Sequence, residues 1–260
     1  MKKKIVNAKI VSNKRIAEDH YEMDLKTAAL AKNSLPGQFV NVKLDEKATD
    51  PLLRIPLGIH KIKKEGISLL YKVVGEGTDL LRNKKKGDQI SLLGPLGKGF
   101  DIKKENEAFV IAGGHGIAPL YALTKELKKN KIDTIFFIGA GKEKHIFCAD
   151  KIRKMGAKVY IATEDGSLGF KGYVTDVLEK YLERNKLQVP RVTIYACGPK
   201  PMLKAVAQIA ETKKIEGQVS MDEYMACGIG ACMGCAIKTK DGYKLCCKDG
   251  PVFDIKEIVW

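Results

Sequence analysis

Short apolar and β-branched runs, separated by turn residues, dominate the first hundred positions of the chain. Clear examples are GQFVNVKL (37–44), GISLLYKVV (66–74) and DQISLLG (88–94), each bounded by Gly, Asp or Lys. Runs of this length and composition predict β-strands. Because several of them lie close together, residues 1–102 are predicted to form a small antiparallel barrel.

The pattern changes near residue 107 to apolar runs that alternate with amphipathic segments. The first pair is AFVIAGG (108–114) and IAPLYALTKELKKN (117–130), and three more pairs follow before residue 215. Strands that are apolar throughout are typical of a parallel sheet covered by helices on both faces. Residues 103–216 are therefore predicted to form a Rossmann-like parallel α/β domain.

The last segment, residues 217–260, has no long helical pattern and holds five of the seven cysteines. It is predicted to be a small C-terminal module. The fold class expected for the whole chain is multi-domain, β plus α/β, in the order barrel, nucleotide domain, module. A chain of 260 residues is long enough for more than one core.

Composition narrows the compartment and the partner. No apolar run approaches the ~20 residues of a membrane span, and the start MKKKIVNAKIVSNKR lacks the apolar core of a secretory signal. A cytoplasmic protein that does not enter a membrane is expected. The net charge of +15 comes from short lysine runs without interleaved aromatic residues, which favours a solvated surface and no nucleic-acid binding.

Two glycine-rich turns are candidates for nucleotide binding. IAGGHGIAP (111–119) and ACGPKPM (196–202) each follow a predicted parallel strand, at the edge where open α/β sheets bind ligands. Glycines there let backbone amides approach a pyrophosphate. Pro119 departs from the G-x-G-x-x-G pattern, so a plain tight turn stays open, and Cys197 either faces a nicotinamide or is a small buried residue. The candidates are Gly113, Gly114, Gly116, Cys197, Gly198 and Pro199.

Two segments of the predicted barrel offer phosphate contacts. Arg54 in LLRIPLGI (52–59) has a charge suited to phosphate, and Gly77 and Thr78 in GEGTDLL (75–81) lie at a predicted helix start. Backbone amides at such a start attract anions. A basic strand end and an ordinary helix cap are the alternatives.

Three cysteines, Cys227, Cys232 and Cys235, have the C-x4-C-x2-C spacing of plant-type [2Fe–2S] proteins. A fourth ligand is required, and the adjacent Cys246 and Cys247 are both available. Glycines within the loop allow tight wrapping around a cluster, whereas a zinc knuckle usually shows C-x2-C twice. A cluster passes single electrons and a nicotinamide takes a hydride, so the two need a flavin between them.

These features together resemble the ferredoxin-NADP reductase superfamily, and within it the electron-transfer subunits of type B dihydroorotate dehydrogenases. The resemblance covers essentially the whole chain, and its last two segments are highly specific. The segments are PGQFV (36–40), LLRIPLGI, GEGT (75–78), LLGPLGKGF (92–100), AGGHGIAPL (112–120), CGPKPML (197–203), CGIGACMGC (227–235) and CKDGPVF (247–253).

The resemblance implies FAD in the barrel, NAD at the second domain and one [2Fe–2S] cluster near a partner subunit. That partner is an FMN-containing catalytic chain that oxidises dihydroorotate in pyrimidine biosynthesis, in a heterotetramer with two copies of each subunit. The fourth ligand in the family precedes Lys-Asp-Gly-Pro and corresponds to Cys247, which leaves Cys246 without an assigned role. The implied flavin-binding residues are Arg54, Ile55, Pro56, Leu57, Gly58, Leu70, Tyr71, Lys72, Gly77 and Thr78.

One departure concerns the flavin strand. The family's Arg-Arg-Pro-x-Ser appears here as Arg54-Ile55-Pro56-Leu57-Gly58. One phosphate ion pair and one hydroxyl contact to flavin are expected to be missing or replaced, with Lys72 as the candidate replacement. Two other functions stay open: an NAD(P)H-linked ferredoxin or sulfide reductase subunit of the same superfamily, and, more remotely, a zinc-stapled nucleic-acid-binding protein.

Overall fold

The structure, a computed structural model, describes residues 3–44, 50–103, 107–185 and 191–260. Its first part is a closed six-stranded barrel with strand order β1-β2-β5-β4-β3-β6 and antiparallel pairing throughout. The alternating apolar side chains of these strands fill the barrel interior. The strands are β1 (Lys4–Ala17), β2 (His20–Lys26), β3 (Phe39–Lys43), β4 (Ile55–Ile62), β5 (Gly66–Lys72) and β6 (Gln89–Leu96), with helices α1 (Ala28–Ala31) and α2 (Glu76–Arg82) between them.

Strand β4 is irregular, and this irregularity shapes the barrel. Residues 55–58 pair with β3, and pairing with β5 begins only at Ile59. The register then shifts between Ile59 and Lys61, so His60 is the extra residue of a β-bulge. The bulge turns the His60 ring out of the barrel, where its Nδ1 bonds the Ala118 carbonyl at 2.9 Å.

The second part is a seven-stranded sheet with the order β10-β9-β8-β7-β11-β12-β15. All pairs are parallel except the last, which joins β12 to β15. The strands are β7 (Glu107–Gly113), β8 (Thr134–Ala140), β9 (Lys158–Thr163), β10 (Phe170–Lys171), β11 (Val192–Cys197), β12 (Glu216–Ser220) and β15 (Val252–Asp254), and the helices are α3 (Ile117–Lys129), α4 (Ala149–Lys154), α5 (Val174–Asn185) and α6 (Lys200–Thr212).

The C-terminal segment is built around a hairpin of β13 (Ala236–Thr239) and β14 (Gly242–Leu245). It shares a core with the nucleotide domain, because Ile237 and Phe253 pack in one cluster with Ile194 and Val219. The barrel and the parallel α/β sheet predicted from the sequence pattern are confirmed. Within the described ranges, no helix is long and apolar enough to cross a membrane.

Candidate cluster and nucleotide sites

The cysteine loop, residues 227–235, is rich in glycine and wraps its backbone around the sulfur of Cys227. Gly228, the next residue, has a φ of 64°, a conformation that glycine adopts without strain. The N–H donors, that of Ile229 first, lower the pKa of Cys227 to about 6, which favours the metal-binding thiolate. Three backbone N–H groups donate to Cys227 Sγ at 3.3–3.5 Å, those of Ile229, Ala231 and Cys232.

The β13–β14 hairpin brings Cys247 to this loop. The hairpin begins directly after Cys235 and ends directly before Cys246, whose N–H donates to the Cys235 carbonyl at 3.0 Å. The Cys247 N–H then donates to Cys235 Sγ at 3.4 Å. Burial, and then the neighbouring Cys235 thiol, raise the pKa of Cys247 to about 12. A thiol in such surroundings ionises when a metal supplies positive charge.

Cys246 faces the core instead. Its thiol is fully buried and donates to the Met221 carbonyl at 3.3 Å. Burial, followed by the Cys235 thiol, raises the pKa of Cys246, which keeps it a neutral thiol. The adjacent cysteines lie in the turn that follows β14 and have different surroundings.

The donor set of this segment fits a two-iron cluster. All seven cysteines lie in the described ranges and are free thiols. Among the described residues, no three His, Cys, Asp or Glu side chains converge on a point that could hold a single metal ion. A [2Fe–2S] cluster does not require three protein ligands at one point, since its four cysteines are shared between two irons. Cys227, Cys232, Cys235 and Cys247 come from two neighbouring segments with N–H groups directed at sulfur.

A gap between β4 and β5 marks the candidate flavin site. Because β4 pairs with β3 before it reaches β5, residues 70–72 of β5 have a ladder partner, among the described residues, only on the β2 side. The Tyr71 side chain lies inside the barrel, where its O–H donates to Asn13 Oδ1 at 3.0 Å and burial raises its pKa to about 12. Tyr71 therefore offers this gap its backbone, whereas Lys72 is exposed.

Residues 55–58 of β4, the segment predicted to contact flavin, point alternately into and out of the barrel. Ile55 and Leu57 pack against the barrel core, so Pro56 and Gly58 face outward. Ile55 also covers the start of α2, because a Cβ on Gly77 would lie 2.9 Å from Ile55 Cδ1. A Cβ on Gly58 would meet no atom within 4 Å. The position of the family's serine thus opens onto free space.

Arg54 and Thr78 are held by contacts within the barrel. The Arg54 guanidinium donates to the Ser91 carbonyl at 3.2 Å and to its hydroxyl at 3.1 Å. The Thr78 hydroxyl donates to the Gly75 carbonyl at 2.9 Å and accepts from the Val74 N–H at 2.9 Å. Thr78 therefore caps α2, which is the alternative that the sequence left open.

The two glycine-rich turns pack directly against each other. A Cβ on Gly116 would lie 2.1 Å from the Cys197 carbonyl oxygen, and one on Gly198 would lie 3.0 Å from Gly113 Cα. These three glycines are required by the contact between the turns. Gly114 differs, because its φ is 51° and a Cβ there would meet no atom within 4 Å. Of the four glycines in these turns, Gly114 is the one whose Cβ position is open.

Cys197 ends β11 between these turns. It pairs in the sheet with Ala112 of β7 and Ser220 of β12, and Pro199, two residues further on, is the N-cap of α6. Burial, and then the nearby Asp222, raise the pKa of Cys197 to about 12. Cys197 is thus a neutral, buried thiol at the carboxyl end of β11.

His115 belongs to the candidate nucleotide site but was not among the residues predicted from the sequence. It lies in the first glycine turn, and its Nε2 bonds the Leu70 carbonyl of the barrel at 3.0 Å. Its Nδ1 is buried and has no hydrogen-bond partner among the described residues. Burial, and then the neighbouring His20, lower the pKa of His115 to about 4. The available signal was a histidine set between glycines in a turn predicted to bind a nucleotide.

Comparison with known proteins gives two family matches. Residues 222–259 match the family described as the iron-sulfur cluster binding domain of dihydroorotate dehydrogenase B. Residues 110–208 match the family described as the oxidoreductase NAD-binding domain. The first match contains the cysteine loop and the hairpin, and the second contains both glycine turns.

Relatives and solved structures cover nearly the whole chain. The chain is 38% identical over 264 residues, 99% of each protein, to the "Dihydroorotate dehydrogenase B (NAD(+)), electron transfer subunit" of Desulforamulus reducens. The protein of the same name from Fusobacterium nucleatum is 39% identical over 96% of each. The structure of an NADH-dependent reduced ferredoxin-NADP oxidoreductase has a TM-score of 0.87 at 32% identity, covering 97% of this chain and 90% of that one. A ferredoxin NADP+ reductase from Neisseria gonorrhoeae shares the fold, with a TM-score of 0.68 at 15% identity over 81% of this chain and 92% of that one.

Proposed function

Because this chain belongs to the family of dihydroorotate dehydrogenase B electron transfer subunits, we propose that it passes electrons from a dihydroorotate-oxidising partner to NAD⁺ in pyrimidine biosynthesis. Family membership confirms the resemblance drawn from the sequence. The observation that carries the proposal is the Cys227 loop, in which three N–H groups donate to one sulfur within the matched cluster-binding segment.

Four cysteines are assigned to the cluster: Cys227, Cys232, Cys235 and Cys247. When bound, a [2Fe–2S] cluster supplies one-electron transfer and FAD joins it to the hydride chemistry of NAD. The residues of this chain orient and prepare the site. Loop N–H groups stabilise the Cys227 thiolate, and the hairpin holds Cys247 beside Cys235.

FAD binding is assigned to the gap between β4 and β5. The outward Pro56 and the open space at Gly58 suit a flat ring, and the exposed Lys72 adds positive charge at the strand end. NAD binding is assigned to the two glycine turns, with Gly114 as the point of closest approach and Cys197 facing the nicotinamide. The assigned flavin residues are Arg54, Ile55, Pro56, Leu57, Gly58, Leu70, Tyr71, Lys72, Gly77 and Thr78, and the assigned NAD residues are Gly113, Gly114, Gly116, Cys197, Gly198 and Pro199.

The partner is proposed to be an FMN-containing catalytic subunit, with two copies of each chain in a heterotetramer. Large apolar side chains are exposed next to the cysteine loop, those of Tyr224 (97%), Ile229 (43%) and Met233 (57%). An exposed apolar patch of this kind is typical of a protein interface. A cytoplasmic location is proposed because cluster thiolates need a reducing compartment. The proposed division into 1–102, 103–216 and 217–260 assigns FAD, NAD and the cluster to successive parts.

The proposal is tested by co-expressing the chain with the neighbouring FMN-bearing candidate. We expect co-purification, one FAD and two irons per chain, and dihydroorotate-dependent reduction of NAD⁺. A preparation without flavin, iron or labile sulfide would refute the function. Zinc without iron, combined with steeply salt-dependent nucleic-acid binding, would support the nucleic-acid alternative.

A matched pair of variants tests the fourth ligand. Cys247→Ser should lose the cluster and interrupt electron transfer, because Cys247 faces Cys235. Cys246→Ser should keep its iron, because that thiol bonds the Met221 carbonyl in the core. Full iron content in Cys247→Ser, together with loss of iron in Cys246→Ser, would mean that Cys246 is the fourth ligand and Cys247 is not.

A second candidate function follows from the similarity to the ferredoxin-NADP oxidoreductase structure. In that case the chain would be a ferredoxin-linked NAD(P)H reductase subunit with the same architecture. Co-purification with a partner that lacks FMN, and no reduction of NAD⁺ by dihydroorotate, would favour this function over the first.

A further inference from the structure

Asn41 is a buried polar residue of β3 whose side chain reaches the cysteine loop. It is 1% exposed and lies between Val40 and Val42, which both pack in the barrel core. Because neighbours in a strand alternate, Asn41 points outward from the barrel. Its Nδ2 donates to the Cys227 carbonyl oxygen at 3.1 Å. A single barrel side chain thus holds the backbone of a cluster ligand.

Gly228 packs on the same carboxamide. Its φ is 64°, and an added Cβ would lie 2.2 Å from Asn41 Nδ2 and 2.9 Å from Asn41 Cγ. The loop therefore approaches Asn41 as closely as a glycine permits, and a larger residue would separate them.

Stability alone does not account for an asparagine at this position. Asn41 Oδ1 is buried and has no hydrogen-bond partner among the described residues, and such an acceptor costs stability that an apolar side chain would avoid. The sheet register also places Asn41 opposite Pro56, within the strand assigned to FAD. Asn41 therefore lies between the cysteine loop and the flavin strand.

We propose that Asn41 is a positioning residue that fixes the cysteine loop on the flavin-binding barrel and thereby sets the electronic environment of Cys227. The inference rests on the proposed function, since it requires a cluster at Cys227 and FAD at β4. The Asn41 bond orients the segment whose N–H groups bond the Cys227 sulfur, and hydrogen bonds to sulfur tune the potential of an iron–sulfur cluster.

Asn41→Leu in the purified holo-complex tests the inference, because leucine keeps the shape and removes the donor. Iron release to a chelator should become about fivefold to tenfold faster, the effect expected for one lost hydrogen bond. The cluster potential, followed by EPR during a redox titration, should shift, while the rate of flavin reduction by NADH stays at the wild-type value. The matched control is Asn13→Leu, since Asn13 is a barrel asparagine that donates to the Leu81 carbonyl at 3.0 Å. It should destabilise the barrel and leave iron release and potential unchanged.

Gly228→Ala tests the contact itself. Its methyl group should displace the Asn41 carboxamide and speed iron release. In an Asn41→Ala background the same change should have a smaller effect, because the shorter side chain leaves room. If the effects of the two substitutions on the free-energy barrier to iron release were strictly additive, a direct contact would be contradicted and the inference overturned.

Failure of the inference and failure of the proposed function look different. Wild-type iron release and potential in Asn41→Leu would overturn the inference alone. A wild-type chain that binds neither iron nor flavin would refute the proposed function. In that case, hydrogen exchange of the iron-free chain tests whether Asn41 holds the cysteine loop. Faster exchange of the amides of residues 228–232 in Asn41→Leu would support its hold on the loop, and unchanged exchange would refute it.

Discussion

Replacing Gly116 by alanine should force the two glycine-rich turns apart. The new methyl carbon would lie 2.1 Å from the Cys197 carbonyl oxygen, 2.4 Å from the Cys197 carbonyl carbon and 2.7 Å from Gly198 N. These are backbone atoms, so no side-chain rotation relieves the clash. The φ of Gly116 is −58°, which alanine adopts readily. The cost is therefore steric alone.

The size of the effect follows from these distances. Ordinary carbon contacts lie near 3.5–4.0 Å, so the turns must separate by about 1.5 Å. Overpacking a dense interior costs about 1–3 kcal/mol, and the rigid obstacles place this change near 3 kcal/mol. For a chain of this length that corresponds to a melting temperature about 6–12 °C lower.

The assay compares thermal melting and NADH binding of Gly116→Ala with those of Gly114→Ala. Gly114 has open space for a methyl group and a φ of 51°, so its alanine variant pays only the left-handed backbone cost of about 1–2 kcal/mol. Gly114→Ala should weaken NADH binding and lower the melting temperature only slightly. Gly116→Ala should weaken NADH binding and also lower the melting temperature by the larger amount. A Gly116→Ala protein that melts within about 2 °C of wild type, less than 1 kcal/mol of change, would refute the packing argument.

Three further experiments each test the environment of one side chain. In the iron-free chain at pH 7, iodoacetamide should modify Cys227 before Cys246, because backbone donors, that of the Ile229 N–H first, lower the Cys227 pKa to about 6 while Cys246 is buried; equal rates by peptide mass spectrometry would contradict this. Burial lowers the pKa of His60 to about 4 from an ordinary 6.5, so the unfolded chain binds more protons between these pH values and stability should fall as the pH drops through them. His60→Phe should flatten the dependence of stability on pH in this range, measured by urea denaturation. An unchanged slope would argue against a lowered His60 pKa. Tyr71→Phe should lose about 1 kcal/mol of stability with its bond to Asn13 and keep its full FAD content, whereas loss of FAD would mean that the hydroxyl contacts the flavin.

Local periodicity was sufficient to predict the barrel and the parallel sheet. A half-buried strand alternates and a doubly covered strand is apolar throughout, so runs such as AFVIAGG (108–114) indicate their environment without knowledge of their neighbours. The place of β15 was not predictable in this way. Its three residues, Val252–Asp254, carry too little pattern, and only pairing with β12 places them in the nucleotide sheet.

The glycine turns show why residue roles were harder to predict than elements. From the sequence, Gly113, Gly116 and Gly198 are predicted to let a pyrophosphate approach, with a plain tight turn as the alternative. The structure shows that contact between the two turns, which are about 80 residues apart in the chain, already requires them. Similarly, the bulge that aims His60 at α3 depends on a register shift between strands, which no local pattern reports.

The sequence by itself determined the chemistry of this protein. Cysteine spacing depends on covalent neighbours and local loop geometry, so C-x4-C-x2-C already indicated a cluster and, with two glycine-rich turns, a flavin relay. Only the tertiary structure distinguishes the surroundings of Cys246 from those of Cys247. Adjacent residues differ in nothing but the direction of their side chains, and that direction is set by how the hairpin packs against Cys235 and Met221. The same is true of Asn41, whose contact with Cys227 joins residues 186 positions apart.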